Sequence, residues 1–176
     1  MLRCWRRLDQ PGLELARIDI GGDGVTVTSN LINGGASPFS LRYSWALDSD
    51  WRTRSLRIDF TNAHERTINI ERTGDDAWRV AGKEAPQLNG CVELDLSATP
   101  FCNGLAIRRL GGPGDMRVAW INAADLSIAP SRQRYERLDA RNWRYIDLGV
   151  ARGFEAGLHL DGDGMVEHYE GLFEAL

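Results

Sequence analysis

Alternation of apolar and polar residues with a period of two recurs along almost the whole chain, and helical spacing is nearly absent. Leu13 and Leu15 open a run that ends at Ile20, and Gly21-Gly22-Asp23-Gly24 turns it back through Val25 and Val27, the pattern of a hairpin. After the breaks at Asn33-Gly34-Gly35 and Pro38, Leu41, Tyr43, Trp45 and Leu47 share one face, with Arg42 and Ser44 on the other. The clearest strand follows the turn cluster Asp48-Ser49-Asp50 and sets Leu56, Ile58 and Phe60 against Arg57 and Asp59. Asn62-Ala63-His64-Glu65 then turns the chain into residues 67 to 71, and Thr73-Gly74-Asp75-Asp76 turns it into Trp78 and Val80. These segments predict a meander of adjacent antiparallel strands.

The stretch from Gly90 to Leu110 differs in kind. Val92, Leu94 and Leu96 alternate with Glu93, Asp95 and Ser97 as in a half-buried strand, and Thr99-Pro100 then ends it by removing a backbone donor. A short irregular segment around Asn103-Gly104 is expected next, followed by inward Leu105, Ile107 and Leu110 and the adjacent charges Arg108 and Arg109. Polar groups able to orient a ligand thus stand beside apolar groups able to bury one. Beyond Gly111-Gly112-Pro113-Gly114 the alternation resumes at Met116, Val118 and Trp120, then in a pair of strands over residues 133–138 and 142–148. A last hairpin runs from Glu155 to Leu160 and back through Met165 to Tyr169, and residues 170–176 read as one helical turn. About a dozen strands at this spacing predict an all-β fold in one domain spanning residues 1–176.

Composition narrows the class of protein. With 176 residues, 43% hydrophobic and 26% charged, the chain has the makings of a real core, and nothing suggests disorder. A net charge of -4 lacks the basic footprint of a nucleic-acid binder, although Lys83 is the sole lysine among 21 basic residues. Cys4, Cys91 and Cys102 form an odd set without CxxC spacing, which argues for free thiols in a reducing compartment over disulfides or zinc. The first residues carry charge but no apolar core of a secretory signal, and no apolar run approaches the roughly 20 residues of a membrane helix. A cytoplasmic location is expected; the pattern leaves the oligomeric state open.

Several chemistries fit poorly. There is no Gly-x-Ser-x-Gly elbow, and Asp161-Gly162-Asp163-Gly164 lacks the register of a calcium loop and reads as a hairpin turn, so neither metal nor cofactor is implied. Glu93 and Asp95 would form an acid and base pair with His64 or His168 in an enzyme acting on a small lipid-like substrate, although a solvated strand face explains both carboxylates more simply. Arg132, Arg134, Arg137, Arg141 and Arg144, mixed with Tyr135, Trp143 and Tyr145, would serve RNA or protein recognition, or else are snorkelling arginines over an apolar sheet.

Four motifs carry a resemblance that spans nearly the whole chain: Asp48-x-x-Trp51-Arg52-Thr53; Gly90-Cys91-x-Glu93-x-Asp95-Leu96-Ser97-x-Thr99-Pro100-Phe101-x-Asn103 with Ile107-Arg108-Arg109-Leu110; Gln133-Arg134-Tyr135; and Tyr169-x-Gly171-Leu172-Phe173. Through them the sequence resembles the bacterial family described as putative glycolipid-binding proteins. The resemblance implies a large, curved, mostly antiparallel sheet forming an incomplete or flattened β-barrel with few short helices, as in lipoprotein localisation factors. The resulting expectation is a non-enzymatic binding protein for a glycolipid or other amphiphile, whose acyl chain fills an apolar cavity with its head at the mouth. Arg108 or Arg109 would hold an anionic or hydroxyl-rich head and Asp95, Thr99 and Asn103 would hydrogen-bond it; Trp45, Phe101, Gln133 and Tyr135 complete the candidate ligand-binding set.

Overall fold

The structure of the chain is a computed structural model that describes residues 1–61 and 66–176. The turn expected at residues 62–65, and His64 with it, lies outside the described residues. Fifteen strands among the described residues form one sheet. The first eight are a meander: β1 (Leu2–Arg7), β2 (Gly12–Gly21), β3 (Gly24–Asn33), β4 (Phe39–Leu47), β5 (Thr53–Phe60), β6 (Arg66–Gly74), β7 (Ala77–Val80) and β8 (Lys83–Glu84). The chain then crosses to the opposite edge, where β9 (Glu93–Leu96) lies parallel to β10 (Gly114–Ile121), with helix α1 (Phe101–Leu110) between them. A second meander returns through β11 (Ile128–Arg137), β12 (Asn142–Asp147), β13 (Glu155–Leu160), β14 (Val166–Tyr169) and β15 (Phe173–Ala175). Pairing of β15 with both β14 and β1 joins the two meanders, while β8 and β9 are left as the edges, so the sheet does not close into a barrel.

Where side chains alternate strictly, the strands face as the sequence predicts. Leu41, Tyr43, Trp45, Leu47, Leu56, Ile58 and Phe60 are all buried, and Arg57 pairs with Asp59 on the outer face at 2.7 Å. Strand β2 is a departure: Leu13 and Leu15 project outward, about half exposed, and Glu14, Ala16 and Ile18 face in. Pairing explains it, because the register sets Glu14 opposite the buried Leu31 and Leu13 opposite the exposed Ile32. The C-terminal segment is also a strand and not the expected helical turn. Phe173 is buried beside Tyr169, and the segment satisfies ladder groups of β1 and β14 that would otherwise be orphaned mid-sheet.

The largest correction concerns the segment after Pro100, which is a helix and not an irregular turn. Phe101 through Ile107 are all buried, so the helix has no polar stripe to announce it. Phe101, Cys102 and Leu105 pack into the core of the first meander, and Ala106 and Ile107 into that of the second, so α1 is the common filling of both halves. Its N-terminus has a partial cap in the Thr99 hydroxyl, which accepts from the Phe101 amide at 3.2 Å. Gly111, at φ 65°, closes its other end by donating to the Ile107 carbonyl, and Arg108 and Arg109 occupy the last turn, where the helix dipole favours cations.

The gap between the first meander and β9 is bridged mainly by side chains. The Arg72 guanidinium donates to the Thr53 carbonyl at 2.7 Å and to the Val92 carbonyl at 2.8 Å, while its carbon lies 4.3 Å above the Trp78 ring. Trp78 itself donates to the Cys91 carbonyl, and the Gly90 amide to the Asp76 carbonyl. Glu93, expected on a solvated face, is fully buried in this seam, where its carboxyl accepts from the Thr53 and Leu94 amides and lies 3.8 Å from Arg72. Burial pushes its pKa up, against the opposing pull of those bonds and of Arg72.

Two stability experiments follow from this packing. A Cβ at Gly104 would stand 2.8 Å from the Gly164 carbonyl oxygen, so Gly104→Ala should cost about 1–3 kcal/mol in chemical denaturation, despite the better helix propensity of alanine. Arg72→Met should cost about 3 kcal/mol by leaving Glu93 uncompensated, and adding Glu93→Gln should restore a large part of it; strictly additive losses would refute the coupling.

Candidate functional site

A cavity of about 290 Å³ opens between β9, the start of α1 and the second meander. Its walls are aromatic and aliphatic: Tyr145 and Tyr169 meet at 6.0 Å between ring centres, Phe154 lies 6.1 Å from Tyr145, and Phe173 and Leu172 extend the surface beside Tyr169. Trp120 closes the β10 side. These residues share the space because the period-two pattern turns Tyr145 of β12 and Tyr169 of β14 to the same inner face.

Polar groups line the remainder. Asp95, Ser97, Thr99, Asn103 and Asp147 all border the cavity. Behind them a hydrogen-bonded chain fixes two of the five: Asn103 donates to the Tyr135 hydroxyl at 3.2 Å, Tyr135 donates to the Gln133 side-chain carbonyl at 3.1 Å, and the Gln133 amide donates to Asp95. Asp147 is held separately. One carboxyl oxygen accepts from the Gly149 and Ala151 amides at 2.7 and 3.1 Å, and the other from the Tyr145 hydroxyl at 3.1 Å. Burial raises the Asp95 pKa to about 6; the Gln133 bond holds it down and the nearby Asp147 adds to the rise. No lysine, arginine or histidine among the described residues lines this space.

The expected ligand-binding set therefore divides. Asp95, Thr99 and Asn103 reach the cavity, and Gln133 and Tyr135 stand immediately behind, where they fix the orientation of Asp95 and Asn103. Trp45 and Phe101 are core residues 5.5 Å apart and do not border it, since Trp45 turns its ring nitrogen to Thr53. Arg108 and Arg109 are also absent from its lining. Helix geometry gives the reason: five residues carry Arg108 about 7.5 Å along the axis and about 140° around it from Asn103. Arg108 instead borders a second, wide cleft of about 570 Å³, stacked 4.3 Å over Trp51 and donating to the Asp163 carbonyl at 2.6 Å.

A family model described as "Putative glycolipid-binding" matches residues 2–175. The chain belongs to that family. A crystal structure of a DUF1089 family protein from Pseudomonas aeruginosa is 30% identical and aligns with a TM-score of 0.82 over 93% of this chain and 92% of that one. No curated protein matches.

In this family member, several lining residues carry no sequence signal of chemistry: Trp120, Tyr145, Asp147 and Phe154 belong to no catalytic or metal pattern. Tyr169, Leu172 and Phe173 do lie in the closing motif Tyr169-x-Gly171-Leu172-Phe173, which was the signal available for them. Among the described residues the acid and base constellation is not assembled, because Glu93 is turned into the seam, Asp95 into the cavity, and His168 is exposed on β14 opposite His159 of β13. Nor do the arginines and aromatics of β11 and β12 form one face. Tyr135, Trp143 and Tyr145 are buried, while Arg132 and Arg134 pair with Asp115 and Arg144 with Glu155 on the outer side. The Asp161–Gly164 run is the β13–β14 turn, braced by Arg3 on both aspartates, and no described residues cluster as metal ligands. Among the described residues no helix is long and apolar enough to cross a membrane.

A second carboxyl group is buried away from the cavity. One Glu14 oxygen accepts from the Ser29 and Tyr43 hydroxyls, both at 2.7 Å. Burial raises its pKa from 4.5 to about 7, against the pull of the Thr99, Ser29 and Tyr43 hydroxyls. A folded-state pKa above the unfolded one gives stability that is complete below about pH 4.5 and lost as the pH rises through about 7. Glu14→Gln should therefore gain about 3 kcal/mol on the native protein between pH 4 and pH 8, at roughly 1.4 kcal/mol per pKa unit. Parallel pH profiles of denaturation for the two proteins would refute a raised Glu14.

Proposed function

We propose that the protein binds a glycolipid, or another amphiphile with a hydroxyl-bearing head, in the cavity between β9, α1 and the second meander, without transforming it. The observation that carries this reading is the composition of that cavity: an aromatic and aliphatic wall beside five polar residues, two of them fixed by a buried hydrogen-bonded chain. Such a mixture suits a ligand with an apolar and a polar part. Membership of a family described as glycolipid-binding supports the same conclusion. The hydrogen-bonded chain pre-sets Asp95 and Asn103, so a ligand meets them without the entropic cost of ordering those side chains.

Native mass spectrometry of gently purified protein should reveal a co-purifying amphiphile, and a fluorescent acyl probe should bind saturably. Ala151 is exposed at the cavity mouth, so Ala151→Trp should obstruct entry and weaken probe binding at least tenfold while leaving the melting temperature within a few degrees. Absence of both co-purified and saturably bound amphiphile would overturn the reading.

A further inference from the structure

The exposed rim of the cavity is wholly apolar, while its buried lining sets polar groups among Leu96, Tyr145, Tyr169 and Phe173. Thr99, Asn103 and Asp147 are only 3%, 6% and 3% exposed, whereas Val150 and Phe154 are 44% and 36% exposed at the opening. From this gradient we infer that the ligand enters head first: an uncharged sugar ring occupies the cavity, and the acyl chain leaves over Val150 and Phe154. The inference rests on the proposed binding function and reverses the orientation that the sequence suggests, in which the chain fills the interior and the head stays at the mouth.

Three physical arguments converge on it. Size is the first. A cavity of 290 Å³ has the volume of about ten waters at roughly 30 Å³ each, which accommodates one sugar ring and not a long chain together with its head. Charge is the second. Asp95 and Asp147 line the space and no described cation does, so a phosphate, sulfate or carboxylate head would meet acidic side chains with nothing to offset them. Hydrogen-bonding character is the third. Carboxyl, amide and hydroxyl groups accept from and donate to ring hydroxyls, while the faces of Tyr145 and Tyr169 offer flat apolar surface to the C–H side of a sugar. An acyl chain in the same place would bury Asp95, Thr99, Asn103 and Asp147 against methylenes without return.

The experiment measures binding by calorimetry and by competition, using methyl glycosides of glucose, galactose, mannose and N-acetylglucosamine, alkyl glycosides of the best sugar from octyl to tetradecyl, and dodecyl phosphate. Head-first entry predicts that a methyl glycoside displaces its alkyl counterpart, that affinity changes less than threefold from octyl to tetradecyl, and that dodecyl phosphate does not compete. Asp95→Asn should weaken both methyl and alkyl glycosides at least tenfold, through loss of an ionised acceptor. Val150→Ser, at the exposed rim, should weaken alkyl glycosides and leave the methyl glycoside unchanged, which separates the two ends of the ligand even if the Asp95 variant folds poorly. Methyl glycosides that fail to compete, with affinity rising roughly fourfold per methylene or with dodecyl phosphate competing, would overturn the orientation and leave amphiphile binding intact. Failure of every amphiphile, the acyl probe included, would overturn the binding function itself.

Discussion

The architecture depends on burying one ten-residue helix. A fifteen-stranded sheet that does not close must find something to cover its concave face, and α1 supplies side chains to both halves at once. Phe101, Cys102 and Leu105 complete the core under β3 to β6, and Ala106 and Ile107 complete that of the second meander. Gly104 permits the close approach to the β13–β14 turn that this double burial needs. Without the helix each meander would present an uncovered apolar face, which a sheet cannot leave to water.

The same requirement accounts for the seam. Because β9 must run beside β10 to launch the helix across the sheet, it cannot also pair with the first meander, and the groups facing it there need other partners. Arg72, Trp78 and Glu93 are those partners. A guanidinium is suited to the task, since its planar fork reaches two backbone carbonyls on opposite sides of the gap while its face stacks on Trp78. Burying Glu93 here costs solvation energy, and the two amides and the arginine around it offset that cost.

Much of the sheet was legible in the sequence, and the helix was not, for one physical reason. Period-two alternation reports a strand with one dry and one wet face, as in β4 and β5, whereas an element buried all round has no periodic contrast. Pro100 and Asn103-Gly104 then resembled a break, although the proline precedes the first helical turn and the glycine answers a steric demand from a distant turn. Strand β2 misled in another way, since Leu13 and Leu15 mark the outer face and Glu14 the inner one, a choice fixed by pairing with β3 and not by local hydropathy. Around the cavity, Asp95, Thr99 and Asn103 stand out in the sequence because they share one continuous motif. Asp147, Tyr145 and Phe154 border the same cavity without any signal in the sequence, because only the folding of the second meander brings them to that motif.

The location of the cavity follows from the way α1 divides the interior. On the side of the first meander, Trp45, Phe101 and Tyr43 fill the space with edge-to-face contacts at 5.5 and 6.0 Å. On the other side the sequence places aromatic rings around a gap and polar residues at its base, a costly choice for a core whose only task is stability. The Asn103, Tyr135, Gln133 and Asp95 chain limits that cost by giving each buried donor an acceptor, and it also locks the groups that face the gap. A network satisfied from behind thus holds Asp95 and Asn103 in fixed orientations at the surface of that space.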